Sequence, residues 1–207
     1  MEFKSLSFDL FHPKPLLIVI SGTSGVGKDA VLRGLKRRDL GLHFVVTATS
    51  RAPRPDEQDG RDYFFYSRQE FKERIERGEF IEYAYVYEDS KGIPRWQIDE
   101  ALLSGRDVIL RVDVQGAATL RGLYPEAVLI FLVPKTTEEW YNRLTARNSE
   151  TPESLKVRVE TAKQEVNQID LFDYIVVNAN ECLEEAIDDI IDIINAEHHK
   201  TKHRKLI

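Results

Sequence analysis

Residues 16–29 read LLIVISGTSGVGKD. The stretch Leu16-Leu17-Ile18-Val19-Ile20 is wholly apolar, the composition of a buried parallel strand. Behind it Gly22, Thr23, Ser24, Gly25, Val26, Gly27 and Lys28 fit Gly-x-x-x-x-Gly-Lys, the Walker A phosphate-binding loop. Glycines let successive backbone N–H groups turn inward around an anion at the positive end of the helix that follows, and Lys28 adds a point charge. That helix is expected over residues 30–38, opening at Ala30. Strand, loop and helix together imply a bound nucleotide phosphate, whereas a turn that merely joins strand to helix leaves Lys28 and three glycines unexplained. The last letter of the motif departs: Asp29 stands where Ser or Thr would present a hydroxyl to Mg²⁺.

The 207 residues suffice for one sizeable core with an insertion and are short for two full domains. A net charge of -6 argues against nonspecific binding of nucleic acid across the whole surface. The single cysteine, Cys182, excludes an intramolecular disulfide and every multi-cysteine zinc pattern. It is expected to be a buried, inert thiol, and a reducing, cytoplasmic setting follows. Residues 1–15 lack the apolar centre of a signal peptide and the Arg/Ser bias of a transit peptide, and no apolar run approaches membrane-spanning length. Neither nucleic acid nor membrane is expected as a partner, and the basic tail 198–205 reads as a solvated, frayed end.

Strand-like runs recur at Phe44-Val45-Val46, Val108-Ile109-Leu110, Val128-Leu129-Ile130-Phe131-Leu132 and Tyr174-Ile175-Val176-Val177, with helix-period segments between most of them. This alternation predicts a parallel α/β sheet. Leu183, Ala186, Ile187, Ile190, Ile191 and Ile194 are spaced three and four apart, so a helix over 183–196 should lay one face on that sheet. Between residues 50 and 94 the character changes to turns, the aromatic run Tyr63-Phe64-Phe65, a short helix, and a second aromatic set at Tyr83, Tyr85 and Tyr87. The short helix opens on the capping-box pattern Ser67-Arg68-Gln69-Glu70 and stops at Gly78. A second mobile element is expected at 147–154, where Thr151-Pro152 starts a helix running to about residue 169. The chain is therefore read as one domain, 1–207: a core of 15–49, 95–142 and 170–197, an inserted subdomain at 50–94, a lid at 143–169 and a tail at 198–207.

Arg51 and Arg54 lie three apart in a turn stiffened by Pro53 and Pro55. Paired guanidinium forks suit a phosphate, and proline lowers the entropy of holding both. In isolation the segment reads equally as a solvated basic loop. Read from Thr49 to Tyr63, however, the chain carries Thr-Ser-Arg-x-Pro-Arg-x-x-Glu-x-x-Gly-x-Asp-Tyr, followed by Glu79-Phe80-Ile81-Glu82-Tyr83-Ala84, Val112-Asp113-Val114-Gln115-Gly116 and Val177-Asn178. In order and spacing these closely resemble guanylate kinase, over about residues 15–197.

The resemblance implies a three-layer P-loop α/β core with a parallel sheet, a GMP-binding mixed α+β subdomain and a short lid, in agreement with the organisation read from the residues. It implies GMP or dGMP and ATP as substrates, with Mg²⁺ accompanying ATP, in a monomer or homodimer. Arg51, Arg54 and Tyr63 match the family's holders of the GMP phosphate, and Thr47, Glu82 and Asp113 its positions that recognise or orient guanine. A carboxylate suits guanine because it accepts from N1–H and the exocyclic amine together, a pair of donors adenine lacks. The other readings are a water-facing carboxylate at a strand edge for Glu82 and a core aromatic for Tyr63. Arg143, Arg147 and Arg158 fall on lid arginines that close over the triphosphate, where phosphoryl transfer calls for positioned cations; Arg143 reads equally as a helix-surface charge. Asn178 matches a residue near the adenine of ATP.

The chain also departs from the family pattern. Asp29 replaces Ser/Thr, Lys91 and Ile93 replace the Tyr and Ser/Thr of Tyr-Gly-Ser/Thr, and Arg111 replaces the first Asp of Asp-x-Asp. The Gly-Lys-Asp-Ala and Lys-Gly-Ile-Pro segments resemble plastid-type members. Lys91 brings a full positive charge near the GMP phosphate, while Ile93 cannot hydrogen-bond guanine. The changes at 29 and 111 read as compensating, with Asp29 on the metal side, directly or through water, and Arg111 pairing with Asp29 or facing a phosphate. Two other functions stay open at this point: a catalytically inactive protein-binding module that uses the GMP groove, opposed by the intact Gly25-Val26-Gly27-Lys28 and given some support by Asp29 and Arg111, and a kinase for another small phosphate acceptor, opposed by Glu82.

Overall fold

The computed structural model describes residues 11–86, 89–145 and 152–202. In chain order the elements are β1 (Leu17–Gly22), α1 (Lys28–Arg37), β2 (His43–Phe44), β3 (Ala48–Thr49), β4 (Phe64–Phe65), α2 (Arg68–Glu76), β5 (Phe80–Val86) and β6 (Asp89–Pro94). They continue with α3 (Arg95–Leu103), β7 (Val108–Arg111), α4 (Val114–Leu123), β8 (Val128–Val133), α5 (Thr137–Thr145), α6 (Pro152–Val166), β9 (Tyr174–Val177) and α7 (Leu183–His198).

Five strands form a parallel sheet in the order β2-β7-β1-β8-β9. Because β1 lies between β7 and β8 and both its faces are covered, every residue of it is buried, which is why it reads as an unbroken apolar run. Ile18 and Ile20 join Val31, Leu35, Ile187 and Ile190 under α1 and α7. Leu17 and Val19 join Ile98, Leu102, Ala117 and Leu120 under α3 and α4. The result is the three-layer core expected from the sequence. Burial of each large aliphatic side chain contributes about 1.5–3 kcal/mol, which makes these two clusters the main support of the sheet. The neighbours of β1 lie on opposite sides of it, so a crevice opens beyond the carboxyl ends of the strands, where the glycine-rich loop sits.

A second, mixed sheet has the order β4-β3-β6-β5, with β3 parallel to β4 and antiparallel to β6. Its small core joins Ala48, Phe71 and Phe80 to Phe64, Tyr66 and Ile75, with Phe71 and Phe80 stacked at 4.5 Å between ring centres. The capping box forms as expected: the Glu70 amide donates to Ser67 Oγ at 3.2 Å, and the Ser67 amide donates to Glu70 Oε2 at 2.8 Å.

Several expectations are corrected. The strand expected over 44–46 is β2 at His43–Phe44: the Val45 amide still donates to the Ile109 carbonyl at 3.1 Å, and the Gln97 side chain captures both backbone groups of Val46. Val46 N–H donates to Gln97 Oε1 at 2.9 Å and Val46 C=O accepts from Gln97 Nε2 at 2.5 Å. The chain then passes into β3, so the second sheet takes in residues 48–49. Helix α1 starts at Lys28, before residue 30, and α6 ends at Val166, with residues 169–171 tightening into a 3₁₀ turn. Cys182 is half-buried at the start of α7 rather than buried, and its hydrogen bond with Glu185 raises the thiol pKa, which disfavours the thiolate. His198 is not frayed: its Nε2 lies 2.7 Å from Asp107 Oδ2. Tyr87 and Arg147 lie outside the described residues. Among the described residues no helix is long and apolar enough to cross a membrane.

Candidate active site

The loop after β1 is packed from two sides. Gly25 has φ +85°, and a Cβ there would lie 2.7 Å from Leu144 Cδ2 of α5; Gly27 has φ +98°, and its Cβ would lie 2.4 Å from Asn178 Nδ2. Both need glycine for conformation and for space. Asn178 is buried and donates through Nδ2 to the Val26 carbonyl at 2.8 Å. Arg143 reaches the same carbonyl at 3.2 Å and the Asn178 carbonyl at 2.8 Å, while also engaging Glu139 and Asn180. Arg143 is thus no loose surface charge. With Asn178 it fixes the loop from behind.

Lys28 begins α1, and its Nζ donates to the carbonyls of Gly22 at 2.5 Å and Thr23 at 3.1 Å. Burial lowers its pKa, and the Arg111 charge adds to that shift, while the carboxylates of Glu165, Asp113 and Asp29 partly oppose it. From above, Trp140 Nε1 donates to the Ser24 carbonyl at 2.9 Å and Arg158 Nη1 to Ser24 Oγ at 2.6 Å. Trp140 and Leu144 of α5 form one cluster with Ala162 of α6, which seats both helices against the loop.

Arg111 ends β7 opposite Ile20 of β1, and its Nε lies 2.6 Å from Asp29 Oδ1. The two departures from the motif are therefore partners. With 46% of Arg111 and 61% of Asp29 exposed, the pair contributes little to stability, and its importance lies in placing charge beside the loop. Asp29→Ser is expected to reduce turnover, and adding Arg111→Asp to restore part of it. Coupling of neighbouring charges is worth roughly 0.5–3 kcal/mol in such a cycle, and strictly additive losses in kcat/KM would refute compensation.

On the subdomain side Arg51 is held by Glu57 through two bonds, Nη1 to Oε2 at 2.7 Å and Nη2 to Oε1 at 2.6 Å. Those bonds, with the Arg54 amide donating to the same carboxylate at 2.8 Å, pull the Glu57 pKa down to about 2. The Arg51 guanidinium also lies 5.0 Å from the Tyr63 ring centre, and Lys91 Nζ lies 5.8 Å from it. Arg51, Tyr63 and Lys91 are thus gathered as the motif implied. The Arg54 side chain is exposed, and its charge acts on the same Glu57 carboxylate that holds Arg51.

Glu82 follows a bulge in β5, between Phe80 and Glu82, the kind of irregularity that re-aims a side chain. Its Oε2 lies 2.2 Å from where a Cβ on Gly116 would be, at the start of α4. Asp113 caps α4 by accepting from the Gly116 amide at 2.8 Å. Burial, then the nearby Asp113 charge, raises the Glu82 pKa. The carboxylates expected to face guanine are therefore neighbours. Ile93 is 8% exposed and packs with Ile81, Ile98 and Val112, so at this position a polar contact has been exchanged for core packing. A cleft of about 170 Å³ is lined jointly by Asp29, Arg111, Thr47, Tyr63 and Ile93.

Sequence reasoning assigned no role to Glu57, although it is the Glu of the quoted motif. Trp140 and Glu165 carry no local signal, because each meets the loop only through tertiary packing.

The guanylate kinase family model matches residues 14–197. The chain is 51% identical over 193 residues to "Guanylate kinase 2, chloroplastic/mitochondrial" of Oryza sativa subsp. japonica, covering 93% of this chain and 68% of that protein. It is 42% identical over 187 residues to guanylate kinase of Halalkalibacterium halodurans, covering 90% and 91%. The crystal structure of guanylate kinase from Anaplasma phagocytophilum superimposes with a TM-score of 0.68 at 29% identity, covering 93% of this chain and 90% of that one. Two sheets joined at one cleft and a match along nearly the whole chain agree, and the chain belongs to the guanylate kinase family.

Proposed function

We propose that the chain is an ATP-dependent kinase of GMP that also accepts dGMP. The observation that carries this reading is the shared cleft, where Asp29 and Arg111 of the loop side meet Thr47 and Tyr63 of the subdomain side. The loop amides from Gly22 to Ala30 and Lys28 hold the donor phosphates, with Arg143 and Asn178 fixing the loop near the adenosine. Arg51, Arg54, Tyr63 and Lys91 hold the acceptor phosphate, and Glu82, Asp113 and Thr47 select guanine. An oxygen of the GMP phosphate forms the new bond to the γ-phosphorus in line, as the bond to the ADP oxygen breaks. No side chain serves as nucleophile. Arg158 and Arg147 offset charge on the transferred group, together with Lys28 and Arg51.

Mg²⁺ is proposed to arrive with ATP. Among the described residues no group of three or more His, Cys, Asp or Glu side chains could hold a metal by itself. A cation that keeps several waters and takes phosphate oxygens fits such a site, and it would neutralise phosphate charge there. Asp29, paired with Arg111 at 2.6 Å, is the loop carboxylate that would stand on the side of this ion. The lone cysteine supports a reducing compartment, and the cytoplasm is proposed; a tagged full-length chain found in an organelle would overturn that location.

A coupled assay with ATP, Mg²⁺ and each of GMP, dGMP, AMP, CMP and UMP tests the activity. Turnover confined to GMP and dGMP is expected. Turnover with a pyrimidine or adenine acceptor would remove Glu82 as selector, and none with any acceptor would overturn the kinase in favour of a binding module.

A further inference from the structure

Helix α6 presents a second residue to the donor loop besides Arg158. Glu165 lies two turns further along, on the same face, and is half-buried. Its Oε2 is fully buried and accepts no hydrogen bond, although a buried carboxylate oxygen is costly to leave unpaired. The groups around this carboxylate are those a phosphate needs: the Lys28 ammonium and the Ser24 backbone N–H, both of which favour its charge. Burial, the largest influence on the group, and Asp113 work against that charge and leave the carboxyl pKa above the ordinary glutamate value, the mark of an anion held at a cost. Thr23 Oγ1, in the same loop, is likewise buried without a partner. Anchored by Arg158 at Ser24 Oγ and by the Trp140–Leu144–Ala162 cluster, α6 holds Glu165 in place against the loop.

We propose that Glu165 is an internal anion of the donor loop, a positioning residue whose carboxylate stands where it competes with a donor phosphate and must yield to it. This rests on the assignment of the Lys28 loop as the donor site. Lys28 and the Ser24 amide cannot serve a carboxylate and a phosphate at once, so donor binding displaces Glu165 and moves the helix that also carries Arg158. Entry of the triphosphate is thereby coupled to release of the arginine that meets the transferred group. The fraction of molecules in which Glu165 holds the loop lowers apparent donor affinity by the same fraction.

The test is calorimetric titration of the full-length protein with ADP, beside steady-state kinetics in ATP. Glu165→Gln keeps the shape and removes the charge; it is expected to tighten ADP binding by roughly fivefold or more and lower KM for ATP, with kcat changed far less. Glu160→Gln, on an exposed part of α6 where Glu160 pairs with Lys163, controls for loss of any one negative charge and is expected to leave ADP affinity within about twofold. Glu165→Asp, with its carboxylate drawn back by one methylene, should tighten binding to a smaller extent and serves if the Gln variant does not fold. Unchanged or weaker ADP binding in folded Glu165 variants overturns the proposal, as does equal tightening in Glu160→Gln. Failure of the wild-type protein to bind ADP would instead overturn the donor-site assignment itself.

Discussion

Glu82→Gln is expected to lower kcat/KM for GMP by about 10- to 100-fold while leaving the fold at least as stable. A carboxylate accepts from both guanine donors, whereas the glutamine amide offers one acceptor and turns an N–H₂ toward the other. Hydrogen bonds to a charged group are worth about 1.5–3 kcal/mol, and 1.4 kcal/mol is tenfold, which sets the range. Opposed donors in a half-buried site push the loss toward its upper end. The stability side follows from linkage. Burial and Asp113 raise the Glu82 pKa in the folded chain, so folding favours the protonated form. That contribution is complete below the unfolded pKa and disappears as pH rises through the folded one. Near neutral pH the ionised Glu82 therefore weighs against folding, and Gln removes that weight. Guanine binding needs the ionised form, so the acid limb of kcat/KM for GMP should lie above the ordinary glutamate range and move in the Gln variant. The readouts are kcat/KM from pH 4 to 8 and Tm. Unchanged kcat/KM, or a loss accompanied by a fall in Tm, would remove Glu82 from its role.

Lys28→Met is expected to reduce kcat by about 10²- to 10³-fold, the usual cost of removing one preorganised charge from developing oxyanions. Methionine has nearly the reach of lysine and can lie along the same path without the ammonium. Burial already disfavours the charged Lys28, so its loss should not unfold the chain, although the carbonyls of Gly22 and Thr23 lose a donor. A calorimetric Tm within a few degrees of wild type, with turnover nearly abolished, is the expected pair of results. Loss of fold and activity together would make Lys28 a structural clasp for its two carbonyl partners rather than a phosphate ligand.

Much of this was legible because the chemistry is local. The strand at 17–22 is apolar throughout since both its faces are covered, and the capping box of α2 is written in four consecutive residues. The pairing of Asp29 with Arg111 was readable because two departures from one pattern fell close together, one in the first turn of α1 beyond β1 and the other at the end of the neighbouring strand β7. What escaped depends on contacts distant in sequence. Val45 and Val46 have the composition of a strand, yet at Val46 the Gln97 side chain, 51 residues beyond it, takes the ladder's place. Trp140 meets Ser24 across 116 residues, so no window of sequence joins them. The two-residue strands β3 and β4 are too short for alternation to show. Ile93 illustrates a subtler limit: its apolar character was read as a lost hydrogen bond, whereas the structure shows what was gained, a place in the cluster under α3 and α4.

The Gln97 amide also has a mechanical meaning. The chain leaves the parallel sheet after β2 and returns to it through α3, and Gln97 on that helix binds both backbone groups of Val46. The outgoing segment and the incoming helix are thus riveted to one another at the border between the two sheets. With Ile81 and Ile93 packed into the cluster under α3 and α4 beside it, this rivet lets the lobe pivot but resists sliding, so approach of the acceptor toward the donor is confined to an arc. In-line transfer tolerates little lateral error, and the amide with these neighbours supplies that constraint at the point where the arc begins.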